Sequence, residues 1–202
     1  MADWKFIGKP TLLVLDLQHD IVGTGGKGEP MGFPKACRES GIIPRVQSLL
    51  KAFRDKKLPV VYVVAEFNPT VPEPVYGKFY EYMRAERPCA TQKGTEIITE
   101  VAPLWNEPVV RKWNIGIFSN SRLDQVLKHY GAETLIFTGV ATNLVVHIGA
   151  VQATDLGYNV IVPADAVTSN DKEAHEYTMS KVLPLITLIS TTEEVLAKVK
   201  SY

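Results

Sequence analysis

An aspartate, a lysine and a valine are the residues around which the chemistry of this chain can be organised. Asp16 closes a continuous apolar run, Thr11-Leu-Leu-Val-Leu15, and Lys112 ends a short expected strand, Val109-Val-Arg-Lys112. Val145 follows the sharpest local signal in the chain, Thr134-Leu-Ile-Phe-Thr-Gly-Val-Ala-Thr-Asn143. That stretch reads as a buried strand to Thr138, a tight turn over Gly139 to Asn143, and a helix stopped by Gly157. A strand that turns sharply into a helix presents backbone N–H groups and the positive end of a helix dipole, which suits an anion or an activated nucleophile. Valine at the best-placed position can be neither. Hydrolysis on such a chassis has to do without a covalent nucleophile there, or has been lost. Asp16 and Lys112, by contrast, can form a charge pair across a pocket. The ammonium would lower the carboxyl pKa and burial would raise it, and the sequence leaves open which prevails.

These residues need elements to bring them together. Largely apolar runs at 11–15, 58–64, 134–138, 158–162 and 186–189 suit strands buried on both faces, and 109–112 reads as a further, short strand. Between them lie helical patterns. Ile43, Val46, Leu49, Leu50 and Phe53 form one stripe within Ile42 to Lys57. Ser119 to Tyr130 is expected as a helix capped by Asn120 or Ser121 and stopped by Gly131. Further helices are expected over 171–179 and 191–199, the latter with Thr192 and Glu194 in a capping-like start. Phe67 to Glu107, with Pro69, Pro72, Pro74, Pro88 and Pro103, is expected to be mostly irregular and to shape a pocket wall. The glycine-rich segment Gly23 to Gly32 lacks a Lys-Ser/Thr ending, so it is a poor phosphate cradle and reads as a flap or interface loop. Strands alternating with helices give βαβ units, right-handed crossovers and a parallel sheet covered on both faces. The expected fold is α/β, with six strands, mainly parallel, in one domain spanning 1–202. Ligands sit beyond the carboxyl ends of such strands, where Asp16, Lys112 and Val145 converge.

Composition narrows the alternatives. Lys plus Arg and Asp plus Glu both number 22, so no net field favours nucleic acid or an anionic membrane. No run of about eighteen apolar residues could span a bilayer, and no signal peptide is visible. Cys37 and Cys89 match no metal or redox spacing and fit free thiols of a reducing cytoplasm. Cys89, within the pocket-wall segment, is a weak nucleophile candidate. His19 lies near Asp16 and is placed with Gln18 at the pocket. His147 is roughly 200° round the helix from Val145 and cannot share its cavity. His129 and His175 read as helix-surface residues. No histidine pair has ligand spacing, so neither metal nor cofactor is expected.

With these residues in place, the chain resembles the isochorismatase-like hydrolase superfamily over essentially its whole length. The likeness rests on Leu12-Leu-Val-Leu-Asp-Leu-Gln-His-Asp20, on Val110-Arg-Lys112 followed by Phe118, Ser119 and Leu123, and on Thr138-Gly-Val-Ala-Thr-Asn143. Ala153 to Tyr158, Ala164-Asp-Ala166 and His175 complete it. The resemblance implies a three-layer α-β-α sandwich, a homodimer or homotetramer, and a cis peptide between Val140 and Ala141. It implies Asp16 as acid/base and Lys112 as stabilising ammonium, with the nucleophilic cysteine of the amidohydrolase members falling on Val145. The backbone of Ala141 and Val145 would then hold the oxyanion, and Gln18, His19, Phe118, Val140 and Asn143 would line the pocket. The metal-ligating histidines of nicotinamidases have no counterpart around Glu66. The isochorismatases proper also lack the cysteine and cleave an enol ether by protonating it, although they tend to have a small residue where Val145 stands. Two functions therefore follow: a hydrolase of a small metabolite (enol ether, amide or similar) using water, or a catalytically silent ligand-binding homologue.

Overall fold

Alternation along the apolar runs decides the layers. The computed structural model describes residues 4–68, 70 and 76–202, so Pro69, Pro72 and Pro74 lie outside the described residues. β1 (Lys9–Leu15), β2 (Val60–Ala65), β3 (Val109–Lys112), β4 (Ala132–Val140), β5 (Asn159–Pro163) and β7 (Leu188–Ser190) form the sheet in the order β3-β2-β1-β4-β5-β7. All of these pairings are parallel. A seventh strand, β6 (Val167–Thr168), pairs in parallel with the end of β4. The sequence reading has no counterpart for it, because two residues carry no periodicity.

Leu12 and Val14 of β1 and Tyr62 of β2 pack on one face of the sheet, against α2 (Phe33–Ser40), α3 (Ile42–Asp55) and α9 (Thr192–Ser201). Leu13, Leu15, Val61 and Val63 pack on the other, against α6 (Leu123–Tyr130) and α7 (His147–Asp155). Side chains alternate across a strand, so a run that is apolar at every position feeds both cores. The result is the expected three-layer α/β sandwich with a mainly parallel sheet. No helix among the described residues is long and apolar enough to cross a membrane.

Several boundaries differ from expectation for identifiable reasons. The helix expected from Ser119 begins only at Leu123: Asn120 sits at φ 51° and Ser121 turns back to bond the Ile117 carbonyl. The last helix is capped by Thr191, not Thr192. Thr191 accepts the Glu194 N–H while the Glu194 carboxylate takes the Thr191 N–H, a complete capping box. Thr192 instead donates to Asp165, which also holds Arg45 and so ties α9 to α3. Phe67 to Glu107 is less irregular than its prolines suggest, for it contains α4 (Lys78–Glu86) and α5 (Gln92–Thr95). Residues 186 and 187 belong to the turn before β7. Of the remaining helices, α1 (His19–Val22) follows β1, and α8 (Lys172–Tyr177) is capped by Asp171.

Gly139 shows how tightly the end of β4 is pinned against β1. It has φ +107°, and a Cβ placed on it would lie 2.1 Å from the Leu15 carbonyl oxygen. Both the backbone conformation and the contact exclude a larger residue. Gly139→Ala is therefore expected to cost about 3 kcal/mol of stability or more, read from urea unfolding midpoints. A change within a few tenths of a kcal/mol would show that β4 can move away from β1.

Candidate active site

Asp16 leaves β1 at φ +52°, a left-handed conformation uncommon for aspartate, with its N–H bonded to the Val63 carbonyl at 2.9 Å. That turn takes the carboxyl off the strand path at the carboxyl edge of the sheet. Lys112 ends β3, and the sheet order shows that β2 lies between them. The two strand ends are thus not neighbours, but about 10 Å apart. The long lysine side chain bridges the gap, and its Nζ donates to Asp16 Oδ2 at 2.9 Å. Asp16 is 4% exposed and Lys112 2%. The other carboxylate oxygen, Oδ1, is buried without a hydrogen-bond partner.

The competition left open by the sequence resolves in favour of burial. Desolvation raises the Asp16 carboxyl above the ordinary aspartate range, more than Lys112 lowers it. The site thus holds a carboxyl group whose pKa burial raises, hydrogen-bonded to the Lys112 ammonium.

Asp16, Lys112, Val140, Ala141, Asn143 and Val145 all line one cavity of about 300 Å³ at this edge. The bend beneath it begins with a cis peptide between Val140 and Ala141. A π-helical turn, Thr142–Val146, then leads into α7, and the Ala141 carbonyl accepts the N–H groups of Leu144 and Val146 at 3.1 Å each. Two side chains brace this bend from outside. Ser169 donates to Asn143 Oδ1 at 2.7 Å, and His175 Nδ1 lies 2.9 Å from Thr142 Oγ1. His175 is accordingly half-buried, not a surface residue, and burial lowers its pKa.

Three residues placed at the pocket by resemblance do other work. Gln18 is fully buried, and its side-chain amide donates to the Ala65 carbonyl at 2.7 Å and accepts the Ala65 N–H at 2.7 Å. It stitches the chain after β1 to the end of β2. His19 is absent from the cavity lining and lies beside Asp20, 3.6 Å away. Phe118 stacks on Tyr158, with ring centroids 6.1 Å apart, and is also absent from the lining.

The opposite wall comes from the segment expected to shape it: Phe67, Phe79, Tyr82, Met83 and Pro88 line the cavity. Asp20 and Trp113 line it as well, and neither was singled out from the sequence. Both were adjacent to residues that were, Asp20 within the same motif as Asp16 and Trp113 immediately after Lys112. Asp20 Oδ2 accepts the Cys89 N–H at 2.8 Å, fixing this wall to α1. Cys89 itself is fully buried and absent from the lining, and burial raises its thiol pKa. It is a poor nucleophile there. The glycine segment 23–32 supplies Gly28 and Met31 to the wall and is held by Asn170 donating to the Met31 carbonyl. Among the described residues, no cluster of three or more His, Cys, Asp or Glu is placed to hold a metal ion.

A doubly covered parallel sheet with a charge pair and a strand-to-helix bend at its carboxyl edge defines an α/β enzyme-like scaffold. The Isochorismatase domain model matches residues 10–194, and the chain belongs to that family. It is 29% identical over 199 residues, 95% of either chain, to YwoC of Bacillus subtilis (strain 168), an uncharacterized isochorismatase family protein. It is 30% identical over 169 residues to the ureidoacrylate amidohydrolase RutB of Variovorax paradoxus (strain S110), covering 77% of this chain and 67% of that one. The crystal structure of an isochorismatase-like hydrolase from Alkaliphilus metalliredigens superposes with a TM-score of 0.78 at 26% identity, over 94% of this chain and 98% of that one.

The pair can be tested through stability. With Lys112→Met, Asp16 stays buried and loses its counter-charge, so its folded pKa rises further above the unfolded value. The native state then binds more protons than the unfolded state, and stability falls as pH rises from the unfolded pKa through the folded one. The variant is expected to lose about 3 kcal/mol at pH ~8 and distinctly less at pH ~5. Urea unfolding at the two pH values checks the sign, and a deficit that grows toward acid would contradict the arrangement.

Proposed function

We propose that this protein is a hydrolase that uses acid catalysis on a small metabolite, with water in place of a covalent nucleophile. The observation that carries the reading is the buried carboxyl of Asp16 in the cavity lining, with one oxygen on Lys112 and the other buried without a hydrogen-bond partner. A carboxyl kept protonatable by its surroundings is what a general acid requires at neutral pH. On an enol ether, Asp16 would give its proton to the vinyl carbon. Water would add to the resulting cation, and the Asp16 carboxylate, held by Lys112, would take the proton released. The hemiketal would then collapse to a carbonyl and an alcohol. On an amide the Asp16 carboxylate would take a proton from water as it adds to the carbonyl carbon and return it to the amine as the C–N bond breaks. The bend at Ala141 and Val145 would present backbone donors to the carbonyl oxygen. Family membership supports hydrolysis, and the amidohydrolase named among the relatives supports a carbonyl-type substrate. Val145 at the cavity leaves no thiol there to form a covalent intermediate.

The same valine motivates a second reading, a binding homologue that keeps the pocket without turnover. Val145→Cys separates the two: amidase activity appearing only in that variant, with no wild-type turnover of any substrate, would support the silent homologue.

For the enzyme reading, a panel of enol ethers, amides and lactams is the measurement. Asp16→Asn is expected to lower kcat by about 10²–10⁴-fold while the fold, monitored by circular dichroism, is retained. The wild-type rate should fall as pH rises through the raised Asp16 pKa, because the acid form is then depleted. Equal rates in wild type and Asp16→Asn would remove the acid from the mechanism.

A further inference from the structure

We infer that this cavity selects an uncharged, ring-sized substrate and rejects carboxylates. The inference rests on the proposal that the cavity is the substrate site, and it adds the class of molecule admitted. Its walls are largely apolar and aromatic, with Phe33, Phe67, Phe79, Met83, Trp113 and Ile115 among them. A volume of about 300 Å³ is at the low end for ligand pockets, enough for one ring with short substituents.

The charge inventory carries the argument. Among the described lining residues the charged ones are Asp16, Asp20, Asp171 and Lys112, three acids and a single cation. Lys112 is committed to Asp16 at 2.9 Å. Lys27 donates to the backbone carbonyls of Glu86 and Arg87, and neither Lys27 nor Arg87 lines the cavity. Positions 1–3, 69 and 71–75, outside the described residues, carry no lysine, arginine or histidine side chain. A carboxylate entering would shed its hydration shell, meet Asp20 and Asp171, and compete with Asp16 for one ammonium. An uncharged carbonyl or ether oxygen needs only neutral donors. Asn114, Asn143 and Asn170 line the cavity together with the bend. Recognition of a polar but uncharged head on an apolar ring fits this lining.

Matched ligands test this without requiring turnover. Phenyl and cyclohexenyl rings, each carrying a carboxamide or a carboxylate, are titrated against the full chain by calorimetry near neutral pH. The carboxamide is expected to bind at least ~10-fold more tightly than the carboxylate. Asp171→Asn removes one lining charge and keeps the side-chain oxygen that accepts the Ala174 N–H. It should bring the carboxylate ~3-fold or more closer to the carboxamide. Carboxylate binding equal to or tighter than carboxamide, or no carboxamide binding at millimolar concentration, overturns the inference. Carboxamide preference without any Asp16-dependent turnover strikes the acid-catalysis proposal alone. Asp16-dependent turnover with a carboxylate preference strikes this inference alone.

Discussion

The contact between Asp16 and Lys112 is the constraint on which the site depends. It joins two strands that are not paired with each other, through a register set by β2: Leu15 lies beside Val63, and Ala65 beside Lys112. A slip of one residue in either ladder would send one of the two side chains to the wrong face. The pair also stays out of water, and burying two charges costs several kcal/mol per ion before their attraction offsets it. A left-handed aspartate and an unpartnered carboxylate oxygen add to that cost. Strain and desolvation gathered in one place, at the carboxyl edge of an otherwise regular sheet, are the mark of a site whose environment serves chemistry more than stability.

Around this contact, polar side chains hold walls in place. Gln18 occupies the position two residues beyond Asp16 and uses both ends of its amide on Ala65. The first chain segment after the acid is thereby fixed to β2, and Asp16 cannot swing out without breaking two buried hydrogen bonds. Asp20, two residues further, fixes the far wall through Cys89. His175 and Ser169 do the same for the bend through Thr142 and Asn143. Three surfaces of the cavity are each tied to the sheet or to one another by a side chain reaching a distant part of the chain.

The layers were legible in the sequence because hydrophobic burial is written in local patterns. Six strand positions, the stripe Val46, Leu49, Leu50 and Phe53, and the convergence of residues 16, 112 and 145 at one sheet edge follow from runs, spacing and order. What was not legible depends on contacts between distant residues. Nothing near Gln18 in the chain says that its amide will meet Ala65, so it read as a pocket residue. Phe118 read the same way, until Tyr158 is seen to occupy its face. The order of the strands, with β2 between Asp16 and Lys112, is a property of topology, and the short helices α4 and α5 were hidden by neighbouring prolines. Thr191 and Thr192 are chemically equivalent caps, and only the partner of Thr192, Asp165, decides between them.

Val145 and the raised pKa of Asp16 belong to one chemical arrangement. A thiolate at the bend would work through a covalent intermediate and would profit from a nearby base, favouring an ionised carboxylate. A valine does the reverse. It contributes branched apolar surface to the cavity that holds Asp16, and apolar surroundings are what push a carboxyl toward its protonated form. The aromatic wall on the other side acts in the same direction. The dryness that would make Asp16 a useful acid also disfavours a further anion in the cavity, which would have to be desolvated with only one cation to meet it. Acid chemistry and the admission of uncharged molecules are thus two consequences of one low-dielectric cleft.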